Sequence, residues 1–236
     1  MNGFKKAVLT ATAVFVLGLA ANAQAFLIDD FSTDQRAFPN EVVANSTTPS
    51  ASDTIGGVGT IANTDLLNPD RTISANYTAG TGHLAVSVES GMYTHAQNPG
   101  TNAWSSVEWS NFGSADLSDA GSSIALEVVV NFSDLGGELD IILTDGAANT
   151  LSLLNYAIPA VGSPTTFLLG FGGFAGTGII SDIENIYIEI DGRNTTALDV
   201  QIDLVNTAVP EPTSLLLFGS GLVGLGYLAR RKHQKA

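Results

Sequence analysis

Histidine, serine, carboxylate and tryptophan are the residue types in this sequence that could do chemistry, and their spacing limits what that chemistry is. The central body holds two histidines, His83 and His95, and neither lies in an H-E-x-x-H zinc-protease pattern. No serine lies in a G-x-S-x-G elbow. The chain has no cysteine, so thiol catalysis and Cys-ligated metals are excluded. Paired carboxylates such as Glu108 with Asp116, or Glu138 with Asp140, suit the acid and nucleophile of a glycosidase. With 22 acids ahead of Glu211, some pairing is inevitable and the spacing is not selective.

Calcium is the metal that oxygen-rich side chains of this kind would take. Asp29 and Asp30 open the first expected strand, and Asp199 and Asp203 share one face of the last. If the terminal strands are neighbours, these four carboxylates could supply several of the six to eight oxygens Ca²⁺ prefers. No EF-hand loop accompanies them, and plain surface acids are the alternative. No motif calls for any other cofactor. The two tryptophans divide by alternation. If Ala103 to Trp109 is one strand, Trp109 joins Val107 on the core face, and Trp104 joins Ser106 and Glu108 on the other. An exposed indole among polar groups can stack on a sugar ring, which makes Trp104 a candidate glycan contact. An edge aromatic covered by a loop is the plainer reading.

The elements that must position these residues are strands. Ile124, Leu126, Val128, Val130 and Phe132 alternate with polar or small neighbours, and Leu139, Ile141 and Leu143 alternate with Glu138 and Asp140. Ile186, Ile188 and Ile190 oppose Tyr187, Glu189 and Asp191. Leu198, Val200, Ile202 and Leu204 oppose Asp199, Gln201 and Asp203, and Leu84, Val86 and Val88 give a further strand. One apolar and one polar face per strand marks antiparallel sheets with one side in water. Turn sequences such as Asp134-Leu135-Gly136-Gly137, Asp145-Gly146 and Asp191-Gly192 separate them. The expected fold is all-β, an antiparallel sandwich of jelly-roll type. Residues 45–70 read as a long, partly irregular excursion. The glycine-rich stretch 170–178 reads as a loop crossing between sheets.

Both ends of the chain differ from this body. Met1 to Lys6 is a short basic start, followed by an apolar run to Ala21 and small residues at Ala23 and Ala25. That is the pattern of a secretory signal peptide over residues 1–25, cut after Ala25, with Ala23 as the second choice. The expected body spans 26–208. Val209-Pro210-Glu211-Pro212 then precedes an apolar segment, 213–229, and the basic tail 230–235, in which Arg230, Arg231 and Lys232 act as a membrane stop. Fifteen helical residues from Leu215 to Ala229 reach about 22 Å, short of a ~30 Å hydrocarbon core. Tilt, snorkelling and bilayer thinning can absorb that deficit. Gly219-Ser220-Gly221-Leu222-Val223-Gly224 matches the dinucleotide fingerprint, but it lies in the apolar tail and follows no strand.

Once the ends are set aside, three arginines face 22 acids, a net charge of −19. A field of that sign repels phosphate backbones, so nucleic acid is not an expected partner.

The tripartite tail of Val209-Pro210-Glu211-Pro212, a short Gly-rich helix and Arg230-Arg231-Lys232 resembles the PEP-CTERM sorting signal of Gram-negative bacteria. The resemblance implies export by the general secretion machinery, transient anchoring in the inner membrane and processing by an exosortase. Release would follow to the cell surface or extracellular matrix, typically beside exopolysaccharide. The body also resembles a group of PEP-CTERM proteins. The shared features are its opening Leu27-Ile28-Asp29-Asp30-Phe31, its Ser114-Ala115-Asp116-Leu117 and Asp182-Ile183-Glu184-Asn185-Ile186 runs, and its close at 197–203. The same opening and close are similar to jelly-roll carbohydrate-binding modules. The expected protein is a non-catalytic matrix or surface component that binds extracellular polysaccharide. The alternatives are a secreted glycan-acting hydrolase and a structural matrix protein without a discrete ligand.

Overall fold

A computed structural model of the chain describes residues 25–36, 40–195 and 197–209. The signal-peptide residues Ala23 and the run before it, the Pro210-Glu211-Pro212 motif, the apolar segment 213–229 and Arg230, Arg231 and Lys232 lie outside the described residues. Among the described residues no helix is long and apolar enough to cross a membrane.

Residues Ala25–Ala208 form one compact unit built from fourteen strands and a single turn of 3-10 helix. The strands are β1 (Leu27–Asp29), β2 (Val42–Asn45), β3 (Ser50–Ile55), β4 (Asp70–Gly80), β5 (His83–Glu89), β6 (Met92–Gln97), β7 (Thr101–Ser110) and β8 (Ala125–Ser133). They continue with β9 (Gly137–Asp145), β10 (Thr150–Ile158), β11 (Thr165–Gly170), β12 (Ala175–Gly176), β13 (Ile183–Asp191) and β14 (Asp199–Ala208). The helical turn, Phe171–Gly173, lies between β11 and β12.

All the pairings between these strands are antiparallel, and they make two sheets. The first runs β11-β8-β14-β6-β5-β2, with β1 also pairing β14. The second runs β12-β10-β9-β13-β7-β4-β3. The two layers form a β-sandwich of jelly-roll type, as the alternation predicts, and its terminal strands are neighbours. Between the layers lie fully buried rows, among them Ile186, Ile188 and Ile190 of β13 against Val200, Ile202 and Val205 of β14. Ser90 and Gly91, both at positive φ, make the two-residue turn of the β5–β6 hairpin.

The alternation misplaces three side chains, two of them for one physical reason. An extra residue in a strand reverses the inside–outside phase beyond it. The β8–β14 register shifts between Gln201 and Ile202 and again between Ile202 and Leu204. Phe132 is therefore turned outward, and Leu204 is only half-buried while Val205 takes the core position. Ile124 precedes β8 and is exposed. The excursion at 45–70 contains an ordered strand, β3, before its irregular part. The stretch at 170–178 does carry the chain from the first sheet to the second.

Candidate functional site

The outer face of the second sheet presents the most extensive array of chemically useful side chains. Its rows follow from register. Asn76, Trp104, Asp191 and Glu138 lie side by side across β4, β7, β13 and β9. The next row is Ser74, Ser106, Glu189 and Asp140, and the third is Thr72, Glu108, Tyr187 and Ile142. Ser50, Ser52 and Thr54 extend the three rows onto edge strand β3. These are the even positions of β3, β4, β7 and β9 and the odd positions of β13, and on β4, β7, β9 and β13 the alternate positions fill the core, so the pleat alone aims them outward.

Hydrogen bonds fix this face. The Tyr187 hydroxyl donates to Glu189 Oε2 at 2.7 Å, and Arg193 Nη2 donates to Glu189 Oε1 at 2.7 Å. Arg193 Nε also bonds both oxygens of Asp191 at 2.9 Å. The guanidinium lies 5.7 Å from the centroid of the Trp104 ring, within cation–π range. Asn185 Nδ2 donates to Glu108 Oε1 at 2.6 Å, Ser50 Oγ to Asn76 at 2.8 Å, and Thr54 and Thr72 share a 2.8 Å bond. Beyond Glu108 the face runs into an open depression of about 490 Å³, lined by residues including Ser110, Asn111, Thr144, Glu184 and Asn185.

The two central carboxylates are pushed apart in acidity. Burial raises the pKa of Glu189 above the usual carboxylate range, more than Tyr187 and Arg193 lower it. Burial also works against ionised Asp191, but hydrogen bonds from the Arg193 side chain and backbone outweigh it and hold that carboxyl low. Arg193 sits where both charges can be neutralised, over the Trp104 ring. The arrangement offers one aromatic ring, several neutral donors and acceptors, and an acidic surround.

Trp104 is thus on the outer face and half-exposed, and Trp109 is fully buried. The four calcium candidates are not brought together. Asp29 is fully buried and already partnered, with Arg71 Nη1 and Trp109 Nε1 each at 2.8 Å from Oδ2 and the Phe31 amide at 2.7 Å from Oδ1. Asp30 caps Ser32 and accepts from Asn63 at 3.0 Å. Asp29 is opposite Val205, six residues along β14 from Asp199, a separation of about 20 Å. Asp199 accepts from the Gln97 amide at 3.1 Å, and Asp203 is exposed where the strand is irregular. Among the described residues no three His, Cys, Asp or Glu side chains gather as a metal site. The four carboxylates thus lie apart, and the inward one is an ion-pair partner of Arg71.

Ser105 and His95 form a pair that sequence spacing did not reveal, because they lie on different sheets. His95 Nδ1 is 2.8 Å from Ser105 Oγ, and the Tyr93 hydroxyl donates to the same oxygen at 2.8 Å. All three are fully buried, and His95 Nε2 faces Gln97 Oε1 at 3.3 Å in place of a carboxylate. A serine and base without solvent access reach no substrate, so the cluster ties the two sheets together.

Comparison with known proteins adds three findings. Residues 208–232 match the PEP-CTERM protein-sorting motif. No curated protein matches the chain. Among solved structures, the chain is similar to the family 11 carbohydrate-binding module of the cellulase Lic26A-Cel5E of Clostridium thermocellum, at 12% identity and TM-score 0.40, covering 80% of this chain and 97% of that one. A family 29 carbohydrate-binding module complexed with mannohexaose gives 12% identity and TM-score 0.35 over 67% and 91% of the two chains. An agarase gives 13% identity and TM-score 0.41 over 58% of this chain and 22% of its own. The fold assignment rests on the strand pairing itself. This chain is an all-β sandwich carrying the PEP-CTERM protein-sorting motif, and that motif marks it as an exported, exosortase-processed protein.

Proposed function

We propose that the exported sandwich is a non-catalytic glycan-binding protein, and that it holds extracellular polysaccharide along the outer face of its second sheet. The observation that carries this reading is Trp104, outward on an open sheet, backed by Arg193 and flanked by rows of hydroxyl, amide and carboxylate groups. A sugar ring has apolar faces that suit an indole and a rim of hydroxyls that suit such rows. Glu108, Glu138, Asp140, Glu189 and Asp191 outnumber Arg193, so the face favours neutral polysaccharide over uronate-rich chains. Removal of the tail by exosortase would leave this face free at the surface or in the matrix.

Titration with neutral oligosaccharides, followed by tryptophan emission and calorimetry, tests the reading. Trp109 is buried and held by Asp29, so a ligand-dependent change in emission reports Trp104. Trp104→Ala should weaken binding by about 2 kcal/mol, roughly thirtyfold. Undiminished binding by that variant would remove Trp104 from the site. A hydrolase is the second reading, favoured by the opposed acidities of Glu189 and Asp191. Release of reducing ends that disappears with Glu189→Gln would establish it over binding alone.

A further inference from the structure

One long stretch of this acidic protein carries no charge at all. Residues 146–181 contain no Asp, Glu, Lys or Arg, in a body of net charge −19. They supply the edge strand of each sheet, β11 and β12, together with β10 beside β12 and the helical turn. Leu168 is 61% exposed and Ile179 54%, and neighbouring Ile124 is 59% exposed. Phe171 and Phe174 lie half-buried between them, with ring centroids 6.2 Å apart. Glu127 opposite Leu168, and Asp116 and Asp119 in the adjoining loop, mark the border of this apolar corner.

Both chain ends of the compact unit meet at the same corner. The Ile124 amide donates to Ala208 O at 3.1 Å, and the Phe171 amide donates to Ile124 O at 3.0 Å. The Thr207 amide donates to Phe26 O at 2.9 Å, which holds the first residues there too. Four residues, 209–212, separate this exit from the apolar segment 213–229, and fully extended they span at most about 14 Å. If the apolar segment enters a bilayer, a tether of that length limits how far the exit can be from it.

We infer that, while the tail is attached, the corner formed by Ile124, Leu168, Phe171, Phe174 and Ile179 rests on the lipid surface. The inference depends on reading residues 213–229 as a membrane anchor. The choice of lipid as occupant follows from the exit point and from charge. Any acidic face laid against the headgroups would have to desolvate carboxylates, whereas this one gives up mainly apolar surface and keeps Glu127, beside Leu168, and Asp145, which accepts from the Ile179 amide at 3.1 Å, at its rim. Such contacts lie within about 5–10 Å of the headgroup–acyl boundary.

The absence of native cysteine makes the test direct. Leu168→Cys and Ile179→Cys, with Ser52→Cys on the exposed second-sheet edge as control, are labelled in the full chain with a thiol-reactive fluorophore. The chains are then reconstituted into phosphatidylcholine vesicles with or without brominated acyl chains. Labels at 168 and 179 should lose roughly half their emission to brominated lipid, and the label at 52 almost none. Vesicle flotation is read on the same samples. A chain that does not float overturns the anchor reading and this inference with it. A floating chain whose three labels are quenched alike overturns the inference alone. Shielding at 168 that needs no bromine and grows with the protein-to-lipid ratio assigns the corner to a second copy of the chain, and also overturns it.

Discussion

Acidification from pH 7 to pH 4.5 should remove stability from the sandwich through one side chain, His95. Its hydrogen bonds admit only the neutral ring. Tyr93 donates to Ser105 Oγ, so the Ser105 proton is directed to His95 Nδ1, and His95 Nε2–H is left to donate to Gln97 Oε1. Gln97 Nε2 is itself committed to the carbonyls of Thr101, Gly192 and Thr195, which fixes its oxygen toward the histidine. A second ring proton would set a donor against a donor in a fully buried site. Burial accordingly pushes the His95 pKa down from 6.5 to about 4, against the opposing pull of Gln97 and Asp191.

The sign follows from linkage. Above pH 6.5 the ring is neutral in both folded and unfolded chains and contributes no slope. Between pH 6.5 and about 4 the unfolded chain takes up a proton that the folded chain refuses, so stability falls with pH. The full interval corresponds to about 3 kcal/mol, and about 2–3 kcal/mol of it is lost by pH 4.5. Carboxyls held low, such as Asp116 and Asp191, lose their contribution only below the ordinary carboxylate value of 3.8, beneath this window. Glu189 and Asp199 are raised and act in the opposite direction, but equally in wild type and variant. Urea unfolding at pH 7 and 4.5 should show a midpoint loss larger by roughly 1 M in wild type than in His95→Gln. Glutamine can still accept from Ser105 and donate to Gln97 but cannot titrate. Equal losses in the two proteins would refute the assignment of the slope to His95.

Other perturbations have equally definite outcomes. Arg71→Met leaves the fully buried Asp29 without its cation, and should cost about 3–5 kcal/mol in urea or thermal unfolding. Gly80→Ala places a Cβ 2.0 Å from Gly100 O at φ +118°, and should cost about 1–3 kcal/mol by the same assay. Tyr187→Phe removes a hydrogen bond that favours ionised Glu189, so the Glu189 titration followed by NMR should move further up. Iodide should quench Trp104 emission and leave Trp109 untouched, giving a Stern–Volmer plot that saturates with part of the emission remaining.

Strands with strict alternation were legible from sequence because burial imposes a period of two. Those of β8, β9 and β13 fall where the pattern puts them. Strands β10 and β11 were not legible, since Thr150–Ile158 and Thr165–Gly170 lie at or next to the sheet edges and carry apolar residues on both faces. The phase change at Ile202 was hidden for a different reason. A bulge is a relation between two strands, and one strand's sequence does not record it.

The site was less legible than the fold because polar residues serve two purposes in this sandwich. Asp29, Arg71, His95 and Ser105 carry the side chains that chemistry would use, yet each points inward and holds sheet to sheet or strand to core. A carboxylate or imidazole in such a layer acts as a tie, since nothing reaches it. Outward positions are the reverse case: Asn76, Glu108, Tyr187 and Asp191 look ordinary in sequence, and become a surface only because β4, β7 and β13 set them in register. Trp104 was the exception, because strand parity alone puts it opposite a tryptophan that must be core. Burial parity therefore separates tie from ligand contact better than residue type does. On that ground, activity or binding should be sought among the even positions of β7 and the odd positions of β13, and loss of stability among their neighbours.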